Sequence, residues 1–385
     1  MTHQISAEHL TIQKIAEIIK GHYTLELSED AIKRISHCRE YLDKKIAESD
    51  KPIYGVTTGF GSLCKISISN DQLSQLQINL MLSHACGVGE RVPNDIVKIM
   101  ILLKVQSLSY GYSGVKLDTV ERLIDLFNND VYPVVYKQGS VGASGDLVPL
   151  AHLCLPIVGL GEVEFKGERM SGADLCKKMG WEPIKLGSKE GLALLNGTQN
   201  MSAHAVWALI KAEHLSRWAD VIAAISLEAY DGRIEPFTHA VHAVRPHQGQ
   251  IDTAARMREL LDGSELIKQP KVNVQDPYSF RCIPQVHGSV KDTIPTSQGQ
   301  EDHVSMGANA GVKLCKVVEN TERVLAIELF NAAQALEFRR PLKSSPVLEH
   351  VFADYRKVVP FINEDQPMYP HIAKSVEFLQ NNKID

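Results

Sequence analysis

The sequence predicts a mainly α-helical protein, a long-helix bundle joined to an N-terminal, mostly helical domain that bears the chemistry. Three observations carry this. Residues 201–230 and 304–339 are long helical stretches of modest amphipathicity, which belong to a bundle rather than to a compact α/β domain. Shorter stretches of helical spacing recur along the first half of the chain. A chain of 385 residues, 44% hydrophobic and 23% charged, can bury a large core and form two or more subdomains. We divide it into residues 1–200, with a lid loop and an Ala-Ser-Gly turn, residues 201–340, the bundle, and residues 341–385, a helical tail.

The net charge of -5, with both signs mixed along the chain, gives no electrostatic footprint for nucleic acid or an anionic membrane. Seven scattered cysteines without a CxxC pair read as buried thiols of a reducing, cytoplasmic compartment. The first residues show no secretory leader pattern, and no apolar run is long enough to span a bilayer.

In chain order, residues 15–19 before Gly21 predict a short helix with a glycine stop. Ser28 opens a longer one, with Ile32, Ile35, Cys38, Leu42 and Ile46 at helical spacing up to Asp50, and the two predict a helical hairpin. Residues 52–61 form a loop with three glycines and no lysine, which fits neither phosphate-binding pattern. Its Tyr54 either packs down as a surface-loop residue or presents its hydroxyl from a mobile lid. Residues 71–86 are helical and end near Ser83-His84, where a lone histidine is ordinarily a helix-end cation. Residues 93–110 are apolar almost all round and predict a buried helix, and 115–129 an amphipathic one. Glycines at 159, 161 and 167 suggest a small β-hairpin over 158–167.

Residues 191–200 place Asn196, Gly197 and Gln199 just before the long helix from 201. These residues either cap that helix or use its N-terminus to hold an anion or carbonyl. His239 and His242 form an HxxH without a companion carboxylate or cysteine at metal spacing, so no zinc site is assigned. Residues 273–282 make a polar loop in which Arg281 could pair bidentately with a carboxylate or sit in an ordinary salt bridge. The tail carries short helices around 347–358 and near the end.

The stretch on which these elements converge is residues 139–150, small and flexible residues between two apolar runs. Read plainly, it is a Gly/Ser turn into a helix capped by Ser144 or Asp146, with Pro149 in the first turn. Read chemically, a tight bend lets the Gly145 nitrogen attack the Ala143 carbonyl. Loss of two waters, one with the Ser144 hydroxyl, then leaves an exocyclic methylidene on a five-membered ring. That product is an electrophile no ordinary side chain supplies.

Six stretches in order together resemble the aromatic amino-acid ammonia-lyase family: YGVTTGFG at 54–61, SHACGVGE at 83–90, GSVGASGDLVPLAHL at 139–153, LLNGTQ at 194–199, QDPYSFRC at 275–282 and IPTSQGQEDHVSMG at 294–307. The resemblance implies a methylidene-imidazolone built from Ala143, Ser144 and Gly145, with Asp146 handling protons during dehydration and no metal. It implies Tyr54 as the base for the substrate β-proton, Asn196 and Gln199 as contacts to the electrophile or substrate, and Tyr278 and Arg281 as binders of the carboxylate. Ser83-His84 matches relatives acting on histidine, because an imidazole can hydrogen-bond to His84 and a phenyl ring cannot. The implied reaction is elimination of ammonia from L-histidine to trans-urocanate in a homotetramer.

The chain departs from the family between Gly288 and Ser289, where relatives carry an additional stretch on the order of a hundred residues. Residue roles within that stretch have no heir here. Two alternatives follow: an inactive helical oligomeric relative, or a lyase or aminomutase acting on another aromatic amino acid.

Overall fold

Thr11 starts the first helix by accepting the Lys14 N–H through its hydroxyl at 3.1 Å, an N-cap that satisfies one orphan donor of the first turn. In this computed structural model, residues 1–48, 53, 56, 73–142, 144–293, 307–364 and 366–384 are described. They divide into two units, one running from Met1 to Ala208 with the opening turns of a late helix to Cys315, the other from Leu209 onward. Each has its own apolar core.

The first unit begins β1 (Thr2–Ile5), α1 (Ile12–Lys20), β2 (Thr24–Leu27), α2 (Glu29–Glu48). The predicted helical hairpin is corrected here. β1 and β2 pair in parallel, Thr2 opposite Thr24 and Ile5 opposite Leu27, with α1 as the crossover. Ser28 does cap α2, its hydroxyl accepting the Ala31 N–H at 3.2 Å. Next come α3 (Leu73–His84), β3 (Val88–Arg91), α4 (Asn94–Ser109), α5 (Leu117–Asn128), β4 (Val131–Pro133), β5 (Tyr136–Gln138) and α6 (Leu147–Cys154). α4 is the axis of the core. Ile96, Met100, Ile101, Leu102 and Val105 are all excluded from solvent, each such burial being worth about 1.5–3 kcal/mol.

After a 3-10 turn (Leu155–Val158) the chain forms β6 (Glu162–Phe165), β7 (Glu168–Ser171), α7 (Gly172–Met179), α8 (Glu190–Leu195) and α9 (Gln199–Tyr230). The expected hairpin exists but lies later, turning at Lys166-Gly167. Gly159 instead closes the 3-10 turn with a left-handed φ of 77°, and β6 pairs with β4 as well as β7.

The second unit takes α9 from Leu209, then α10 (His239–Ala243), α11 (Gln248–Leu261), α12 (Tyr278–Arg281), α13 (Ile283–Thr293), α14 (Gly307–Glu337) from Lys316, α15 (Pro346–Val358) and α16 (Tyr369–Asn381). Its core sets Trp218 and Tyr355 edge-on to Phe378, with centroids 5.5 and 5.2 Å apart. α13 runs unbroken through Gly288 and Ser289. It crosses α11 so closely that a Cβ on Gly249 would overlap the Gly288 carbonyl oxygen. Asp292 accepts the Gly249 N–H at 2.8 Å, and Asp220 holds α13 through His287 Nδ1 at 2.8 Å and Lys291 Nζ at 2.5 Å.

Of the cysteines read as buried thiols, Cys154 and Cys176 are; Cys86 is exposed, Cys38, Cys282 and Cys315 are partly so, and Cys64 lies outside the described residues. Among the described residues no helix is long and apolar enough to cross a membrane.

Candidate active site

The turn at Gly142–Asp146 is built from left-handed backbone. Gly142, Ser144 and Gly145 have φ of 81°, 59° and 88°. For a serine this conformation costs roughly 1–2 kcal/mol, so the surroundings must impose it. They do so through hydrogen bonds. Gly145 donates to the Gly142 carbonyl at 3.3 Å, and Asp146 donates to the Gly197 carbonyl at 2.8 Å. Gly145 and Gly197 also form a bridge in which a Cβ on Gly145 would overlap the Gly197 oxygen, so only glycine fits there. Ala143 lies outside the described residues.

Asp146 corrects the capping expectation. It occupies the N-cap position of α6 but makes no side-chain bond to that helix. Its carboxylate instead accepts from the first turn of α9, at 2.9 Å from Met201 N, with the Asn200 N–H also contributing. Two helix N-termini, those of α6 and α9, therefore meet at one wholly buried acid. Burial pushes the Asp146 carboxyl up from the ordinary aspartate value against the opposing pull of those two N–H donors. Its Oδ1 has no hydrogen-bond partner, and neither do the buried Gln199 Oε1, Asn200 Oδ1 and Ser140 Oγ. Buried polar atoms are normally satisfied. Four orphans around one turn fit a polar group seated there.

Asn196 and Gln199 do not cap α9 in the expected way. Asn196 is the C-cap of α8, exposed, and its amide donates back to Leu192 O at 3.1 Å. Gln199 is the first residue of α9, with its amide oxygen unpartnered beside Gly197. α3 packs on this assembly through Gln77, whose Oε1 accepts the Gly191 N–H at 3.0 Å. At its end His84 is partly buried, and Nδ1 lies 2.8 Å from Leu80 O. A carbonyl can only accept, so Nδ1 carries the proton and, in the neutral ring, Nε2 is left as an acceptor. Beyond α3, Gly87 donates to His152 Nε2 at 3.0 Å and lies against Gly139, the first residue of the central stretch.

Tyr54 lies outside the described residues, as does the rest of its loop apart from Ile53 and Val56. Tyr278 and Arg281 belong to the second unit, where the stretch read as a polar loop contains the single-turn helix α12. The Arg281 guanidinium stacks 3.8 Å over the Tyr278 ring, and its buried Nε has no partner. It lines a cleft of about 320 Å³ with Arg233, Gln275 and Asp276. His242 of the HxxH pair has both ring nitrogens occupied, by Pro236 O at 2.8 Å and Gln250 at 2.9 Å.

Sequence reasoning missed Lys104. Only 1% exposed in the middle of α4, it donates to Ala193 O at 2.8 Å and Asn196 O at 2.9 Å. A lysine in the middle of a mostly apolar helix, which also carries Lys98, was the available signal.

A mainly helical fold with a glycine-serine turn held between two helix N-termini defines a class of carbon–nitrogen lyases, and comparison with known proteins agrees. The chain belongs to the aromatic amino acid lyase family, whose family model matches residues 10–295 and 290–357. It is 34% identical to the histidine ammonia-lyase of Caldanaerobacter subterraneus subsp. tengcongensis, over 99% of this chain and 97% of the relative. That alignment spans 493 positions against a chain of 385, so it opens at least 108 gap positions in this chain. The family match breaks just after Gly288-Ser289, where the sequence reading places the shortening. Among solved structures, histidine ammonia-lyase from Trypanosoma cruzi superposes with a TM-score of 0.86 at 29% identity, covering 99% of this chain and 93% of that one. Tyrosine aminomutase from Streptomyces globisporus superposes with a TM-score of 0.90 at 25% identity, covering 98% and 97%. The family uses a methylidene-imidazolone prosthetic group.

Proposed function

We propose that this chain eliminates ammonia from L-histidine to give trans-urocanate, using a methylidene-imidazolone made from Ala143, Ser144 and Gly145. The observation that carries the substrate assignment is His84: with Nδ1 committed to Leu80 O, its Nε2 can accept an N–H from an imidazole substrate. A phenyl ring offers no donor to that nitrogen.

When formed, the group supplies an electron-poor alkene that helps an amine leave and makes a β-proton removable. The remaining roles fall to side chains. Gly145 and Ser144 supply the bent backbone and the departing hydroxyl of ring formation. Asp146, with its carboxyl held above the usual aspartate range, is suited to take and return a proton at that turn. Tyr54 removes the substrate β-proton. A free tyrosine titrates near ~10, so the phenolate needs positive potential, which the N-termini of α6 and α9 can supply. Asn196 and Gln199 offer amides at the same turn. Arg281 and Tyr278 bind the substrate carboxylate, Arg281 with an unsatisfied buried Nε available.

A homotetramer completes the reading. Supporting it, α14 exposes an apolar stripe, Leu314, Val317, Val324 and Ile327 at 41%, 61%, 62% and 41% exposure, far more than an isolated helix face needs.

The test is Ser144→Ala assayed with L-histidine alongside circular dichroism. Turnover is expected to fall below about a thousandth of wild type with the helical spectrum intact; activity within a few-fold would overturn the cofactor assignment. A wild-type chain that makes no urocanate would favour the inactive-relative reading. The aminomutase similarity supports one other reading, migration of the amine to the β-carbon. Product analysis separates an amino acid product from urocanate.

A further inference from the structure

The proposed reaction depends on how rigidly the segment after α8 stands against the central turn. Among the described residues that segment has no side-chain anchor of its own, since the Asn196 amide folds back on Leu192 O. Its anchor comes from α4. Lys104 Nζ reaches the carbonyls of Ala193 and Asn196, in the last turn of α8, at 2.8 and 2.9 Å. These are the carbonyls a helix end leaves unsatisfied.

Building this contact from a lysine is costly. Among the described residues no carboxylate pairs with Lys104, and the neighbouring Cys154 is a buried thiol pushed up to about 12, so it remains neutral. Burial is the main cause that lowers the Lys104 amine to about 8, with Cys154 acting in the other direction. An apolar side chain there would avoid that cost but leave two helix-end carbonyls without their donor. The amine therefore does something packing cannot: among the described residues its hydrogen-bond partners are the carbonyls of Ala193 and Asn196, which lead directly into Gly197.

Resting on the function proposed above, we propose that Lys104 is a positioning residue. Its ammonium ties down the end of α8, so that Asn196 and Gly197 are held against Gly145 and Asp146 in the geometry that ring closure and turnover require. The link is direct. Asn196 O receives Lys104, and the next carbonyl along the chain, Gly197 O, receives the Asp146 N–H. Freeing the first lets the second drift, and the bent backbone at Ser144 loses the bond that holds it bent.

The experiment compares wild type, Lys104→Met and Lys104→Arg in the purified full chain. Three quantities are read: hydrogen–deuterium exchange over residues 141–150 and 192–200, intact mass, and kcat against KM for L-histidine. In Lys104→Met the amides of these two segments are expected to exchange about tenfold faster, as loss of one or two buried hydrogen bonds implies, while the rest of α4 and α9 keeps its protection. The variant should retain part of its chain at unmodified mass. Its kcat should fall about tenfold or more with KM little changed. Lys104→Arg, which keeps charge and donors, should restore all three. Where Lys104→Met does not fold, Lys104→Gln, which keeps an N–H donor without the charge or the full reach, is read the same way. Wild-type exchange in both segments of a folded Met or Gln variant overturns the proposal. A wild-type chain that is never lighter by two waters defeats the function reading instead, and the exchange data still decide whether Lys104 fastens the segment.

Discussion

Gly145 and Gly197 touch backbone to backbone: they form a bridge with no room for a side chain on Gly145, and Gly145 sits at a φ of 88°. Gly145→Ala therefore meets both a left-handed conformation and a steric overlap with a carbonyl oxygen. It is expected to cost about 1–3 kcal/mol and to prevent ring formation. Thermal melts and intact mass check this together, and an alanine variant lighter by two waters at wild-type stability would show the bridge to be dispensable.

Asp146→Asn separates structure from proton handling. The asparagine oxygen can still accept the Met201 N–H, so the start of α9 keeps its cap. The wild-type carboxyl is raised above 3.8 in the fold, so the folded state binds a proton more tightly than the unfolded chain does. Its contribution to stability is complete below the unfolded value and is lost as pH rises through the folded one. The asparagine has no such loss. Relative to wild type, its melting temperature should climb as pH rises above the ordinary aspartate range, while dehydration of Ser144 stops. A stability difference that does not change with pH would refute the raised carboxyl.

His84→Leu removes the acceptor nitrogen and the Leu80 bond but little volume. Turnover of histidine should drop by about 10²–10⁴-fold, the range for a substrate N–H left unpaired, with the melting temperature changed little. Assays with histidine, tyrosine and phenylalanine read the outcome. An unaltered preference among the three would remove the basis for naming histidine.

The crossing at Gly249 and Gly288 tests the shortened bundle. A Cβ on Gly288 would run into the Gln250 backbone, and α11 cannot retreat without breaking the Asp292 bond to Gly249. Gly288→Ala should destabilise the second unit by about 1–3 kcal/mol, visible as faster exchange across α11 and α13 with the first unit unaffected. An unchanged melt would mean the two helices do not cross this closely.

Long helices were legible in the sequence because their evidence is local. α4, α9 and α14 announce themselves by apolar residues at a 3.6-residue period or by long uninterrupted helical composition, and their observed limits lie within a few residues of those read. The chemistry proposed for the Ala-Ser-Gly turn is a local reading of the same kind, since it draws on three adjacent residues. Of the strands, only the β6–β7 hairpin was legible. β1 and β2 are four residues each, and their pairing joins Thr2 to Thr24 across a helix, which no period within either strand reveals.

What the sequence by itself determined is the helical class and the lyase family. Tertiary structure alone decided the partners. Asp146 looked like the cap of its own helix, yet its carboxylate serves α9, which begins more than fifty residues later. Lys104, passed over in the sequence, hydrogen-bonds a segment some ninety residues on. Residue type and spacing fix a side chain's chemistry and the face it occupies. Which distant donor or acceptor it meets depends on how those faces pack, and that is written only in three dimensions.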